Sequence, residues 1–298
     1  MGQRRTGHCN ENGHNPYWHM RFSFVVMSYN QESFVRDAVA AALAQVWPEE
    51  RSQLEILLTD DCSTDATFSI MQDHAQSYTG PHRVVLNRNP QNLGLIGHVN
   101  RLFSLTSGDY VIYSAGDDIS EPHRARAIAD LAMARRPALI HSNVTDLNPD
   151  GRPRGIQRDR THLAELEAMT MRELARVMSH GIGATSAWHR DLYDRFGPIR
   201  ETGLYEDRVM LFRARLIGSV GYVDDRLVRY RRGLGLTSVG KRNSLKDLDV
   251  DIATLRQRTL DCQKVAPDER KVLRVLANKL QSRLAERDAH IATAVQPA

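Results

Sequence analysis

The sequence contains little cysteine and no long apolar stretch. Its 298 residues include three cysteines, Cys9, Cys62 and Cys262, which lie far apart along the chain. Such a sparse, odd set argues against a disulfide-stapled secreted domain and predicts reduced thiols in a cytoplasmic protein. No apolar run approaches the roughly 20 residues that span a bilayer, and residues 1–20 are too polar for a signal peptide. We therefore expect a cytoplasmic protein, with peripheral contact at the inner face of the membrane left open.

An excess of one charge is also missing. Lys and Arg number 40 and Asp and Glu 36, which gives a formal charge of +4, and the basic residues are dispersed. This balance does not favour nucleic acid as a partner and suits an anionic small molecule or a negative membrane surface. The 41% hydrophobic and 26% charged composition is typical of a globular protein.

Pairs of acids follow two apolar stretches that we interpret as buried strands. Asp117 and Asp118 come after residues 110–115, and Asp60 and Asp61 come after residues 54–59. Acids past the carboxyl ends of parallel strands face the crevice in which open α/β sheets bind ligands. Adjacent carboxylates repel unless a cation relieves them, and Mn²⁺ or Mg²⁺ would also grip a diphosphate. The alternative for Asp117 and Asp118 is an aspartate-capped turn.

The first strand, residues 22–27, delivers Ser28, Tyr29 and Asn30 to the same edge. An aromatic face stacks on a base, and an aspartate accepts from the N3–H of a uracil-type base or from ribose hydroxyls. Helical patterns separate these strands, and a further strand at 83–86 leads to the loop that holds Asn92 and Gly94. The order predicts an α/β fold with a mostly parallel sheet under helices, and a nucleotide-diphosphate site at its edge.

The second half of the chain offers acceptor-side candidates. Gly183 lies in a run of small residues that permits close backbone approach to a ligand. Trp188 is either a sugar platform or a core residue. Glu206 and Asp207 open a helical pattern, so they are either acids favoured by the helix dipole or catalytic carboxylates.

Together these residues resemble the family-2 glycosyltransferases, which have a GT-A fold and use nucleotide-sugar donors. The resemblance implies transfer with inversion at the anomeric centre. The resemblance covers about residues 22–238, in six stretches whose order and spacing match. They are Val25–Asn30, Asp60–Asp65, Asn92–Gly94, Gly108–Tyr110, Gly116–Asp118 and Glu206–Asp207.

The resemblance implies a role for each matching residue. The nucleotide sugar would be bound by Ser28, Tyr29, Asn30, Asn92 and Gly94. Asp61 would accept a hydrogen bond from the base. Asp117 would lie near the ribose or metal, and Asp118 would bind the metal. Asp207 would be the catalytic base, with Glu206 as the second choice, and Gly183 and Trp188 would contact the acceptor.

One position departs from the family pattern. Many relatives have a histidine where Tyr230-Arg231-Arg232 is followed here by Gly233. Arg231 or Arg232 would replace it at the diphosphate, because a guanidinium suits phosphate. The alternative is that both arginines are solvated surface charges.

These observations predict three segments. Residues 1–20 form a flexible tail, 21–242 the glycosyltransferase domain, with a nucleotide-binding half at 21–120 and an acceptor half at 121–242, and 243–298 a helical hairpin. The hairpin either packs on the domain or forms a homodimer contact.

The predicted function is metal-dependent, inverting transfer from a UDP- or dTDP-type sugar to a glycan, lipid-linked or small-molecule acceptor, as in cell-envelope polysaccharide synthesis. Two alternatives remain. A sugar-phosphate nucleotidyltransferase would need a glycine- and arginine-rich loop after its first strand, which residues 28–33 lack. A non-catalytic nucleotide-sugar or glycan-binding protein is the other.

Overall fold

Strands and helices alternate through the first half of the chain, as the apolar patterns predict. The computed structural model describes residues 20–49, 51–154, 164–178, 181–232 and 245–295. The strands are β1 Phe22–Ser28, β2 Glu55–Asp60, β3 Arg83–Arg88, β4 Tyr110–Ala115, β5 Ile119–Ser120, β6 Leu139–Leu147, β7 Ala187–His189 and β8 Val220–Arg231. The helices are α1 Val35–Leu43, α2 Thr67–Ser77, α3 Gly94–Leu105, α4 Arg124–Arg135, α5 Met171–Arg176, α6 Asp191–Asp194, α7 Glu206–Ile217, α8 Leu245–Val265 and α9 Arg270–Val295.

One sheet joins all of these strands, in the order β3-β2-β1-β4-β7-β6-β8-β5. The neighbours β3, β2, β1 and β4 are parallel, which places their carboxyl ends at one edge. The short strand β7 runs antiparallel between β4 and β6, and β5 is antiparallel to β8. The predicted mostly parallel α/β sheet is confirmed.

The sheet has a core on each face because successive side chains of a strand point to opposite sides. On one face Phe24 and Val26 pack with apolar residues of α1, α2 and α4. On the other face Val25 and Met27 pack with residues of α3, α7 and the C-terminal helices. Every residue of β1 and β2 is buried, which matches the apolar runs at their centres, residues 24–27 and 56–58.

The C-terminal helices α8 and α9 pack on α7 and α5 through a buried polar core. Arg213 of α7 forms an ion pair with Asp261 of α8 at 2.8 Å, and both side chains are almost fully buried. Arg258 of α8 donates to the carbonyl oxygens of Leu174, Val177 and Arg208. This packing fixes α7 against the rest of the molecule. The homodimer contact stays a prediction.

Two helices begin at candidate site residues. α3 begins at Gly94, which the sequence pattern placed in a loop, and α7 begins at Glu206, as its helical pattern predicts, so Glu206 and Asp207 both lie in its first turn. The predicted flexible tail, up to residue 19, and Gly233 lie outside the described residues. Among the residues that the structure covers, no helix is both long and apolar enough to cross a bilayer.

Candidate active site

The ends of β1, β2 and β4 bring their polar residues side by side. In the parallel registers Ser28 is opposite Asp60, and Met27 is opposite Ala115. The pairing continues past the strands, because the Asp61 N–H donates to the Ser28 carbonyl and the Gly116 N–H to that of Met27, each at 3.0 Å. Three segments that are distant in sequence are therefore held together at one edge.

Asp61 is buried at this edge and is held by the loop after β3. Its Oδ1 accepts from Asn89 Nδ2 at 2.8 Å and from the Leu93 N–H at 3.0 Å, and the same N–H lies 3.1 Å from Oδ2. Asn92 stabilises the loop by accepting from the Gly94 N–H at 2.7 Å. Gly94 has a φ of +70°, which glycine adopts without strain.

The last residue of β1 and the two residues after it differ in exposure and in hydrogen bonding. Tyr29 is 43% exposed, so its ring is accessible for stacking. Asn30 has a φ of +50° and links two loops: its N–H donates to Ser63 Oγ, and its Oδ1 accepts from the Thr64 N–H. Ser28 Oγ is buried without a hydrogen-bond partner among the described residues.

Asp117 and Asp118 form a buried acid pair at the end of β4. Burial raises the pKa of Asp117. Burial, followed by the charge of Asp117, raises the pKa of Asp118 well above its ordinary value. The Arg231 N–H donates to Asp118 Oδ1 at 2.8 Å. A cation would relieve the repulsion between the two carboxylates.

The groups around this pair suit a hard divalent cation. A Cβ at Gly116 would overlap Ser28 Oγ and Gln31 Oε1, and both oxygens lack a hydrogen-bond partner in the described ranges. Oxygen ligands are those that Mg²⁺ and Mn²⁺ prefer. Within the described residues, however, no group of three or more His, Cys, Asp or Glu side chains has a metal-binding arrangement. Phosphate or water oxygens would have to complete the coordination.

A second acid pair lies in the first turn of α7, where Glu206 is buried and Asp207 is half-buried. Burial, and then the charge of Asp207, raises the pKa of Glu206 to about 8. Burial also raises the pKa of Asp207, whose Oδ1 is buried without a partner in the part of the chain described. Gly183 lies against this turn, and a Cβ there would overlap the Glu206 carboxylate. In this structure Gly183 makes room for Glu206.

Tyr113 connects the two acid pairs electrostatically, and the sequence patterns did not single it out. Burial raises the pKa of its hydroxyl, and the charges of Glu206, Asp117, Asp118 and Asp207 raise it further. Both acid pairs therefore act on one phenol. Tyr113 follows Val111 by two residues on β4, so the two side chains point to the same face of the sheet. This spacing is the sequence signal that could have indicated the position of Tyr113.

Arg124 is a second residue that the sequence patterns missed. It is fully buried and donates to the carbonyl oxygens of Tyr113 at 2.7 Å and Ala184 at 2.8 Å, and to Ser120 Oγ at 2.9 Å. Burial lowers its pKa to about 9, and the Asp118 charge opposes this shift. Arg124 thus ties the strand that precedes Asp118 to the turn beside Glu206.

Both candidate diphosphate arginines form ion pairs. Arg231 is buried, its guanidinium lies 3.2 Å from Asp37 and stacks over the Phe34 ring, so it is not a solvated surface charge. Arg232 pairs with Asp146 at 3.0 Å. Binding of a diphosphate by either guanidinium would have to compete with these carboxylates.

The sugar-platform interpretation of Trp188 is wrong. Trp188 is fully buried, and its ring stacks on Tyr113 with centroids 4.9 Å apart and on Phe103 at 6.1 Å. Its position on β7, between β4 and β6, places it inside the sheet. The core alternative is correct, and the Trp188 ring packs against the Tyr113 ring.

Comparison with known proteins gives one consistent family. The family model described as glycosyl transferase family 2 matches residues 23–197. TuaG of Bacillus subtilis strain 168, which carries the name of a teichuronic acid biosynthesis glycosyltransferase, is 27% identical over 136 residues, or 46% of this chain and 51% of TuaG. The chain spans between about a quarter and a half of the length of the first curated relatives that it matches.

Solved structures show the same fold. The structure of Staphylococcus aureus TarS residues 1–349 in complex with UDP-GlcNAc matches with a TM-score of 0.64 at 17% identity, over 89% of this chain and 72% of that one. The mannosyltransferase PcManGT of Pyrobaculum calidifontis, in complex with GDP-Man and Mn²⁺, matches with a TM-score of 0.56 at 16% identity, over 94% and 77%. At these identities the likeness supports the fold alone.

Proposed function

The chain belongs to glycosyltransferase family 2, and we propose that it transfers a sugar from a UDP- or dTDP-type donor to an acceptor hydroxyl with inversion at the anomeric carbon. Family membership makes it a glycosyltransferase and disfavours the nucleotidyltransferase and the non-catalytic binding protein. The observation that carries the finer proposal is that two carboxyl pairs, Asp117–Asp118 and Glu206–Asp207, lie close enough to Tyr113 for their charges to raise the pKa of its hydroxyl.

Asp118 and Asp117 would hold a divalent cation, Mn²⁺ or Mg²⁺, against the donor diphosphate. Both carboxyls have raised pKa values from burial, so ionising them without a cation is costly. When bound, such an ion neutralises charge on the departing nucleoside diphosphate as a Lewis acid. The Arg231 N–H holds Asp118 in place by its bond to Oδ1.

Asp207 would act as the general base. As the acceptor oxygen bonds to the anomeric carbon, its proton passes to Asp207, and the bond from that carbon to the diphosphate breaks with its electron pair on the leaving group. A single displacement with one base inverts the carbon. The raised pKa of Asp207 makes it a stronger base than an ordinary aspartate. Glu206, with its pKa of about 8, is protonated at neutral pH and serves as its buried neighbour.

The donor base is proposed from Asp61 and Tyr29. Tyr29 offers an exposed ring for stacking, and Asp61 would accept from the base N3–H. TuaG is named for teichuronic acid biosynthesis. Only by analogy with that name do we place the acceptor and this reaction in cell-envelope polysaccharide synthesis. The unpaired thiols of Cys62 and Cys262 are consistent with a cytoplasmic location.

Calorimetry with UDP tests the metal and the donor site. Asp118→Asn should weaken UDP binding in Mn²⁺ by about tenfold or more, because it removes a charged ligand, and change it little in EDTA. Asp249→Asn, in an exposed surface pair with Arg287, is the matched control. Equal affinities of wild type and Asp118→Asn in Mn²⁺ would refute the metal role.

Transfer or hydrolysis of the donor tests the base. Asp207→Asn keeps the shape and removes the basicity, so UDP binding should survive while the initial rate falls by roughly two to four decades. Glu206→Gln should lower the initial rate by less than Asp207→Asn does. A collapse of the rate in Glu206→Gln alone would move the role to Glu206, and a normal rate in Asp207→Asn would remove Asp207 from the mechanism.

A further inference from the structure

We propose that Asn89 sets the base selectivity of the donor site by occupying one oxygen of the Asp61 carboxylate. This inference rests on the proposed function, in which Asp61 accepts a hydrogen bond from the nucleobase. Asn89 acts through Asp61, so it is a positioning residue. It follows β3, outside the residues that the family resemblance singled out.

Hydrogen-bond counting at Asp61 is the first step. A carboxylate oxygen accepts about two hydrogen bonds. Oδ1 already accepts from Asn89 Nδ2 at 2.8 Å and from the Leu93 N–H at 3.0 Å. Within the described residues, Oδ2 accepts only the longer branch of the Leu93 bond, at 3.1 Å. Oδ2 of Asp61 therefore retains the capacity to accept a further hydrogen bond.

The bases differ in what they would offer to this carboxylate. Guanine presents two adjacent donors, N1–H and N2–H, which together match both oxygens of a free carboxylate. Uracil and thymine present a single N3–H between two carbonyl oxygens, and a second open carboxylate oxygen would repel one of those carbonyls. A carboxylate with one oxygen already filled thus suits a uracil-type base and leaves one guanine donor unpaired, which is costly in a buried site.

The Asn89 amide is fixed in the orientation that this role needs. Asn89 is 2% exposed, and its Oδ1 accepts from Asn87 Nδ2 at 3.1 Å. Asn87 Nδ2 also donates to Thr59 Oγ1, which is 2.8 Å from Nε2 of the buried His98. A flipped Asn89 amide would lose the Asn87 bond and turn its oxygen toward Asp61. The chain from His98 to Asn89 therefore keeps Nδ2 on Asp61.

A bracing role for the loop is the competing explanation, and it makes a different prediction. The Asn89 N–H donates to the Asp60 carbonyl at 2.8 Å through the backbone, so this tether survives side-chain substitution. If the Asn89 side chain only stiffened the loop, its loss would lower the affinity for every nucleotide by the same factor. A selectivity role predicts a changed ratio between nucleotides.

The experiment measures the affinities of UDP and GDP in Mn²⁺ by calorimetry for wild type, Asn89→Ala, Asn87→Ala and Gln91→Ala. Asn89→Ala should reduce the preference for UDP over GDP by about tenfold, the worth of one hydrogen bond to a charged group. Asn87→Ala, which frees the Asn89 amide to rotate, should shift the ratio the same way by less. Gln91→Ala, an exposed change in the same loop, should leave it unaltered.

The outcomes separate this inference from the proposed function. Wild type that binds GDP better than UDP would overturn the proposed donor class and this inference with it. Wild type that prefers UDP, with the same ratio in Asn89→Ala, would overturn the inference alone. If Asn89→Ala does not fold, Asn87→Ala decides: an unchanged ratio refutes the proposal, and a reduced preference for UDP supports it.

Discussion

At the scale of single residues, burial changes the chemistry of the carboxyl groups more than their neighbours do. Glu206 and Asp207 open α7, where surface acids would simply complement the helix dipole. Here burial is the largest cause of both raised pKa values. A buried acid kept ready to hold a proton is typical of functional sites.

The pH dependence of stability should reveal Glu206 in the free protein. Its pKa is about 8 when folded and 4.5 in the ordinary state, so between these values the folded protein holds a proton that the unfolded chain has released. Stability should therefore fall as pH rises from about 5 to 8, by up to a few kcal/mol at roughly 1.4 kcal/mol per pKa unit.

Glu206→Gln removes only the Glu206 share of this effect, because the raised pKa values of Asp117, Asp118 and Asp207 remain. Its melting temperature should therefore match that of wild type near pH 5 and exceed it increasingly toward pH 8. Glu121→Gln, at a half-buried ion pair with Arg229, is the control and should keep the wild-type slope. Parallel pH profiles for wild type and Glu206→Gln in a thermal melt would contradict the assignment.

At the scale of elements, the turn before β7 and the first turn of α7 are shaped to each other. Gly183 packs against the Glu206 carboxylate so closely that a Cβ would overlap it. Gly181 is different, since a Cβ there would meet Asp207 only at an ordinary contact distance of 3.7 Å. The two glycines are a matched pair for testing how accurately the acids must be placed.

Gly183→Ala should lower the initial transfer or donor-hydrolysis rate by about a hundredfold, the usual cost of a displacement near 1 Å, while UDP affinity changes little. Gly181→Ala should keep a rate within about threefold of wild type, since an alanine methyl at that spacing fits. Rates that fall equally in both variants would show that the segment, rather than the Glu206 contact, is at fault.

At the scale of the whole molecule, α8 and α9 hold α7, and with it Glu206 and Asp207, in place. The Arg213 guanidinium pairs with Asp261 and also donates to the carbonyl oxygens of Leu192 and Gly197. Gln257 accepts from the N–H groups of Arg200 and Glu201, just before α7. The C-terminal helices are thus part of the support of the site.

Asp261→Ala should cost about 3–5 kcal/mol of unfolding free energy, because it leaves the buried Arg213 charge without its partner. Asp249→Ala, at the exposed Arg287 pair, should cost no more than about 1 kcal/mol. Urea unfolding of both variants provides the comparison. A loss for Asp261→Ala as small as for Asp249→Ala would contradict the supporting role of the Arg213–Asp261 pair.

The sequence by itself determined the α/β order and the meeting of the polar residues at one sheet edge. Strand-helix alternation predicts parallel strands, and parallel strands share a carboxyl edge, so Ser28, Asp61 and Asp117 had to approach each other. The first half of the site follows from this one rule. It needs only local patterns and their order.

Only the tertiary structure decided which side chains are buried and what they touch. Trp188 lies in the core because β7 lies between β4 and β6. Arg231 forms an ion pair with Asp37, which is 194 residues away. Arg124 joins residues 11 and 60 positions away, and Asn89 reaches Asp61 across 28. Periodicity describes one element at a time, whereas burial and pairing depend on contacts between distant elements that no local pattern contains.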